Sequence, residues 1–306
     1  MIKTFLIIDT FNFLHRAYHA LPKTFTNLQG EPVNAVYGVS SMLLNVLENI
    51  KPDYIVSALD SKEPNFRLEQ LVTYKAHRKP MDNELSTQIP KIINLIEAFG
   101  IKNIVISGYE ADDIIGTLIK KFYDKVHFLV ISNDRDLWQL TNYGVKIMIP
   151  NKKGDFNYIN SQTAKEIFEL EPEQIVDYKG LRGDPSDNIP GVFGIGDITA
   201  KNLLKKFNTI EQIYQNIEQV TSDSLRKKLI ENYEQALLSK KIATIDTNAP
   251  LTISLQECAY LPFDKNKIKL LFEEYNFKSL IKRIGFDLTF NSDSTPSSNI
   301  SQLNLF

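Results

Sequence analysis

Apolar residues in the first half of the chain follow two alternating rhythms. Residues 4–9, 54–60, 103–107, 127–132 and 145–149 are short runs rich in β-branched and aromatic side chains, and several are apolar almost throughout, as strands buried on both faces are. Between them recur stripes of helical period: Val36, Val39, Leu43, Val46, Leu47 and Ile50, then Ile89, Ile92, Ile93 and Ile96, then Ile114, Ile115, Leu118, Ile119 and Phe122. Strand alternating with helix predicts an α/β fold with a mostly parallel central sheet over residues 1–170. After Pro150 the strand signal fades and helical segments over 162–170, 174–181, 197–207, 210–216, 224–239 and 265–271 predict a helical domain across 171–290. Residues 291–301 are Ser, Asn, Asp, Thr and Pro with little to bury, so 291–306 is expected to be a disordered tail, although its last five residues turn apolar.

Composition narrows this picture without redirecting it. With 306 residues, 43% of them hydrophobic and 24% charged, the chain can bury one large core or two smaller ones, which excludes whole-chain disorder and a disulfide-stapled miniature. A single cysteine, Cys258, can make neither an internal disulfide nor a thiolate metal site, which fits a reducing, cytoplasmic setting. The apolar run 5–8 is too short for a secretory core and no stretch approaches the roughly 20 residues that cross a bilayer, so no membrane is expected as partner. The formal net charge of −2 argues at first against a polyanionic ligand.

The positions of the acids change that reading. Asp9 and Asp60 close the first two predicted strands, Glu110, Asp112 and Asp113 follow the third, and Asp134 and Asp136 follow the fourth. In an open parallel sheet, ligand sites form outside the carboxyl ends of the strands, so these seven side chains converge on one crevice. Asp184 and Asp187 add two more at the start of the helical part. A single Asp after a strand is usually a helix cap or a turn residue. Nine together repel one another unless a cation neutralises them, and oxygen ligands without histidine or cysteine select Mg²⁺ or Mn²⁺. So many acids imply two ions, which about 4 Å apart can polarise a water and stabilise the leaving oxygen of a phosphodiester. Setting the nine aside leaves 28 acids against 35 Lys and Arg, a balance of about +7 that suits a nucleic acid.

Several segments then carry a resemblance. Residues 6–9 (Leu-Ile-Ile-Asp), 31–38 (Glu-Pro-Val-Asn-Ala-Val-Tyr-Gly), Phe66-Arg67, 74–78 (Tyr-Lys-Ala-His-Arg), 108–113 (Gly-Tyr-Glu-Ala-Asp-Asp) and 183–191 (Gly-Asp-Pro-Ser-Asp-Asn-Ile-Pro-Gly) resemble, in order, the 5′ nuclease domain of bacterial DNA polymerase I, within the flap endonuclease superfamily. The resemblance runs from residue 1 to about 290 and implies a PIN-like or resolvase-like sheet, a helical lobe with a helix-hairpin-helix (helix-three-turn-helix) motif, and a flexible arch around 61–90. It implies a 5′-3′ exonuclease and structure-specific flap endonuclease acting on DNA with 5′ single-stranded flaps, nicks or RNA primers. Asp9, Asp60, Glu110 and Asp112, with Asp113 beside them, look like the ligands of one Mg²⁺ or Mn²⁺, and Asp134, Asp136, Asp184 and Asp187 those of a second. Arg16 and Lys75 look like cations on the scissile phosphate, Tyr74 like a ring that stacks on an unpaired base, and Arg67 and Arg78 like further DNA contacts. Basic residues of the arch would draw a phosphate backbone toward a crevice that otherwise repels it.

Gly191, Gly194 and Gly196 have the spacing GxxGxG with no strand ahead, which is not a dinucleotide fingerprint. They fit the hairpin of the DNA-gripping motif, with Thr199 and Lys201 on the next helix and K⁺ as an implied ligand of the turn. Phe193 and Ile198 stand where the family commonly has basic residues, which shifts the expected duplex contacts toward Lys201, Lys205 and Lys206. Polymerase I would continue for several hundred residues, so the chain is expected to be a free-standing, monomeric nuclease. Gln302, Leu303, Leu305 and Phe306 resemble the peptide by which replication enzymes bind the bacterial sliding clamp, and the tail would raise effective concentration there. Two alternatives stay open: a PIN-like ribonuclease, and a protein that binds branched DNA without cutting it.

Overall fold

The computed structural model describes residues 2–151 and 155–286, so the tail and its four clamp-like residues lie outside the described residues. Strand β1 (Lys3–Asp9) runs straight into α1 (Thr10–Ala20), and α2 (Asn34–Ile50) returns the chain to β2 (Tyr54–Ala58). The arch segment holds α3 (Phe66–Gln70) and α4 (Asn83–Ser86), ahead of α5 (Ile89–Ala98) and β3 (Lys102–Ile104). Helix α6 (Ala111–Phe122) leads to β4 (Val126–Ile131), after which β5 (Lys146–Pro150) turns into β6 (Phe156–Ile159). Among the described residues eight α-helices follow: α7 (Ser161–Phe168), α8 (Ile175–Arg182), α9 (Asp197–Phe207), α10 (Ile210–Gln215), α11 (Asp223–Glu231), α12 (Tyr233–Ala243), α13 (Lys265–Glu274) and α14 (Lys278–Arg283).

The strands lie in the order β3-β2-β1-β4-β5-β6, parallel except for β6. Central β1 shows why its run is apolar throughout. Leu6 and Ile8 face a core built with α1, α2, α5, α13 and α14, whereas Phe5 and Ile7 face a second core built with α6 and the turn around Trp138. All four are fully buried, each contributing about 1.5–3 kcal/mol before conformational entropy is set against it. The chain builds outward from β1 through β2 to β3 and then crosses to β4 on the other side. That reversal makes the β1/β4 junction the topological switch point, where α/β sheets open a crevice.

Several expectations need correction. Strand β2 stops at Ala58 and β3 covers only Lys102–Ile104, so Asp60 and the approach to Glu110 lie on loops. Strand β6 was not expected, because its Phe-Asn-Tyr-Ile alternation is short and half polar, as an antiparallel edge strand is. The helix expected over 224–239 is two, broken at Asn232. The expected helical domain over 171–290 also divides in packing. Leu170 to Ala236 contribute their own core, but Ile245, Ile253 and Cys258 pack under the sheet with α6, and Ile268 to Ile284 pack against α2 and α5.

Candidate active site

Four acids line one cavity where the switch point opens, though among the described residues no three of them bring their oxygens within 4.8 Å of one another. Asp9 ends β1 and caps α1, accepting from the Asn12 N–H at 3.4 Å and the Ser132 hydroxyl at 2.6 Å. Asp60 leaves the β2 edge and accepts the Ala111 N–H at 2.7 Å. Asp112 projects from the first turn of α6, and Asp134 follows β4. All four line a cavity of about 1080 Å³ together with Glu110. Burial, reinforced by the Asp60 and Asp134 charges, pushes the Asp9 carboxyl up to about 7 despite the Ser132 hydrogen bond. Burial first, then Asp134 and Asp9, raise Asp112 well above the carboxylate range. Burial raises Asp60 too, with Glu110 adding repulsion. Asp134, assigned above to the second group, thus acts on Asp9 and Asp112 as well as on Asp136, and the two expected sets share it.

A second group forms where α8 ends. Asp136, Asp184 and Asp187 each bring an oxygen within 4.8 Å of the others. Sequence reasoning missed their neighbour: the buried Lys179 ammonium bonds both Asp136 and Asp184. Arg78 pairs with Asp187 at 2.6 Å. The Asp136 carboxyl is pushed up to about 6, chiefly by burial, with Lys179 opposing; at the buried Asp184, burial works upward but Lys179 outweighs it and holds the carboxyl below its usual range. Its signal was slight, a lysine in the last turn of a helix running into Gly183-Asp184. The two groups therefore differ in kind. Among the described residues no lysine or arginine ion-pairs with Asp9, Asp60, Asp112 or Asp134, whereas Lys75, Arg78 and Lys179 are taken by Glu110, Asp136, Asp184 and Asp187. Oxygen-only donors left in mutual repulsion fit a hard divalent cation.

The arch supplies the cations. Lys75 takes a left-handed backbone at φ 54°, sparsely populated for a non-glycine residue, and its N–H donates to the Asp187 carbonyl at 2.9 Å. That conformation aims Nζ at Glu110 Oε1, 2.7 Å away. Burial works against the ammonium, but the Glu110 and Asp187 carboxylates outweigh it and raise its pKa. Lys75, Arg78 and Arg16 all line the cavity.

Three expected site residues have other partners. The Asp113 carboxylate is fully buried and accepts both Arg67 Nη1 and Nη2 at 2.8 Å, the Asp246 N–H at 2.8 Å and the Glu110 N–H at 3.1 Å. It has no face for a metal. Arg67, 3% exposed, also donates to the Ile242 and Thr244 carbonyls, so it braces α3 against the end of α12 and does not reach DNA. The spacing Glu110 to Asp113, N-cap to third residue, was the available signal that this acid closes a helix terminus. Tyr74 is buried, its hydroxyl donating to Glu110 Oε2 at 3.1 Å, so its ring is not offered to a base.

In the helical lobe the hairpin glycines divide. Gly191, at φ 64°, is buried with its N–H on the Ser239 hydroxyl, and a Cβ there would stand 2.2 Å from the Gly183 nitrogen, so it serves close backbone packing and not a phosphate. Gly194 and Gly196 are exposed, Thr199 lies in the first turn of α9, and Phe193 and Ile198 stand out at 84% and 73% exposure. Lys201 pairs with Glu169 and Asp197, and Lys205 with Glu169, which weakens the expectation that these lysines take up duplex contacts.

Residues 4–169 match the model of the 5′-3′ exonuclease N-terminal resolvase-like domain, and residues 170–266 that of the 5′-3′ exonuclease C-terminal SAM fold. DNA polymerase I of Bacillus subtilis is 39% identical over 288 residues, covering 93% of this chain and 32% of that protein, so the chain spans about a third of the length of that relative. A 5′-3′ exonuclease of Buchnera aphidicola subsp. Baizongia pistaciae is 39% identical over 290 residues, covering 91% of this chain and 94% of its own length. Among solved structures, the bacteriophage T5 flap endonuclease in a pseudo-enzyme-product complex with DNA and metal ions superposes with TM-score 0.67 at 19% identity, covering 92% of this chain and 99% of its own. The Rad2 catalytic core with DNA substrate gives TM-score 0.60 at 12% identity, covering 92% of each chain. At such identities the likeness is one of fold.

Proposed function

The chain belongs to the 5′-3′ exonuclease family, and on that premise we propose that it hydrolyses phosphodiesters of DNA carrying a 5′ flap, a nick or an RNA primer, with two divalent cations in the crevice. The observation that carries this reading is the unpaired set Asp9, Asp60, Asp112 and Asp134 at the switch point, held in repulsion that divalent charge would relieve. These four with Glu110, which line one cavity, would hold one ion, and the close group Asp136, Asp184 and Asp187, with Asp134 beside it, the other, Mg²⁺ and Mn²⁺ both suiting an oxygen shell. Bound there, the ions would supply an activated water and stabilise the leaving oxygen. The protein's own part is positioning. Lys75 and Arg16 sit on the cavity wall where a phosphate against the acids would meet them, and a fixed cation stabilises the charge that grows on its oxygens. Lys75 is tethered by its backbone to Asp187, so the arch and the helical lobe set its place together.

The two exposed hairpin glycines and the start of α9 would grip the duplex, with K⁺ in the turn; the peptide 302–306 would tether a monomer to a sliding clamp in the cytoplasm. No helix among the described residues is long and apolar enough to cross a membrane. The test is cleavage of a labelled 5′-flap duplex in Mg²⁺ by wild type and by Asp134→Ala. Loss of cutting with retained DNA binding supports the reading; wild-type rates in the variant overturn it.

A further inference from the structure

Two side chains, Ser132 and Asn12, tie the acids together across the switch point. Ile8 and Ile131 are partners in the parallel register, so the next residues, Asp9 and Ser132, leave neighbouring strands side by side. Ser132 is 1% exposed, and its hydroxyl donates to Asp9 Oδ2 at 2.6 Å and accepts the Asp134 N–H at 3.0 Å. Asn12 makes the matching tie from α1. Its N–H donates to the other Asp9 oxygen at 3.4 Å, and its side-chain oxygen accepts the Asn133 N–H at 2.8 Å. Both Asp9 oxygens are therefore held, and so are two successive N–H groups of the loop that carries Asp134. The run continues into the second group, because Asp134 Oδ1 accepts the Asp136 N–H at 2.8 Å.

We propose that Ser132 and Asn12 are positioning residues for ion uptake: they hold Asp9 and Asp134, which come from different strands, toward one crevice, and Asp134 carries that placement on to Asp136. The proposal rests on the nuclease reading of the same crevice and deepens it by naming what supports its ligands. Its physical ground is that Asp9 and Asp134 repel each other, so without an ion they would turn apart unless groups behind them fixed both. The Ser132 hydroxyl uses its donor on one acid and its acceptor on the other, and an alanine there offers neither. Partners of this kind, which touch the ligands and not the ion, are worth about 10- to 100-fold in metal affinity. Ser132 is too buried to meet a substrate, so its influence on the site passes through the two acids.

The test is Mn²⁺ uptake without DNA, read from the EPR signal of the free ion, in wild type, Ser132→Ala and Ser132→Thr, with melting in chelator alongside. The alanine variant should bind Mn²⁺ about 10- to 100-fold more weakly, and the threonine variant, which keeps the hydroxyl, should regain most of that affinity. Asn12→Ala cuts the matching tie and should weaken uptake as well, and it carries the test if Ser132→Ala does not fold. An unchanged Mn²⁺ affinity in the folded alanine variants, even with a lower ion-free Tm, would mean side chains that only brace the strands, and it overturns the proposal; so does a threonine variant as weak as the alanine one. Weakened uptake in the variants, with no flap cleavage by wild type in Mg²⁺, would sink the nuclease reading and leave the positioning role standing. Cleavage by wild type with uptake unchanged in the variants would do the reverse.

Discussion

Asp112 and Asp113 are neighbours whose substitutions should act in opposite directions. Asp113→Asn puts an amide where four N–H donors converge and leaves the buried Arg67 guanidinium with only the longer pair to Glu110, at 3.6 Å, in place of its bidentate partner. Breaking a buried pair in this way costs about 3–5 kcal/mol. At roughly 2–4 °C per kcal/mol for a chain of this size, Tm should fall by roughly 6–20 °C, with most flap cleavage retained well below that temperature. Asp112→Asn removes one charge from a cluster whose burial, with Asp134 and Asp9, already disfavours ionisation. Without divalent ions at pH 8 its Tm should therefore rise, and cleavage in Mg²⁺ should disappear. Calorimetry in chelator, paired with product sizing on a 5′-flap duplex, reads both quantities. An Asp113→Asn protein of unchanged Tm that no longer cuts, or an Asp112→Asn protein that melts lower, would refute the division between a bracing acid and a ligand.

Lys179→Met deprives Asp136 and Asp184 of the ammonium between them, so the ion-free protein should lose about 3–5 kcal/mol and Mg²⁺ should restore much of it; an equal loss with and without the ion counts against this. Asp9 at about 7 and Asp136 at about 6 stand above their unfolded values, so their stabilising contribution is complete below pH 4 and is lost as pH rises through 6–7. Divalent ions take the ionised carboxylates, so their uptake at pH 6.5 should release protons and tighten toward pH 8; calorimetry in two buffers of different ionisation enthalpy would expose the error if no release were seen. The Cys258 thiol, pushed up to about 11 by burial, should resist a disulfide reagent at pH 8 until the chain is unfolded, and rapid labelling of the native protein would contradict its placement under the sheet.

Periodicity was enough to predict the alternating α/β half, because a strand with Leu6 and Ile8 on one core and Phe5 and Ile7 on another must be apolar at every step. Acids at the ends of such strands implied a shared crevice, since strand direction alone brings those ends together. What an acid does once there depends on contacts far apart in the chain. Asp112 and Asp113 differ by one step of about 100° around α6, enough to turn one toward the cavity and the other toward Arg67, 46 residues away. Nor can spacing tell a tyrosine that stacks on a base from one that Glu110 holds inside, or show that Lys179 already bridges two acids of the second group. Local order along the chain decides which residues can share an edge or a face; pairing and burial are settled only by distances that folding creates, and those decide which charges remain free for a cation.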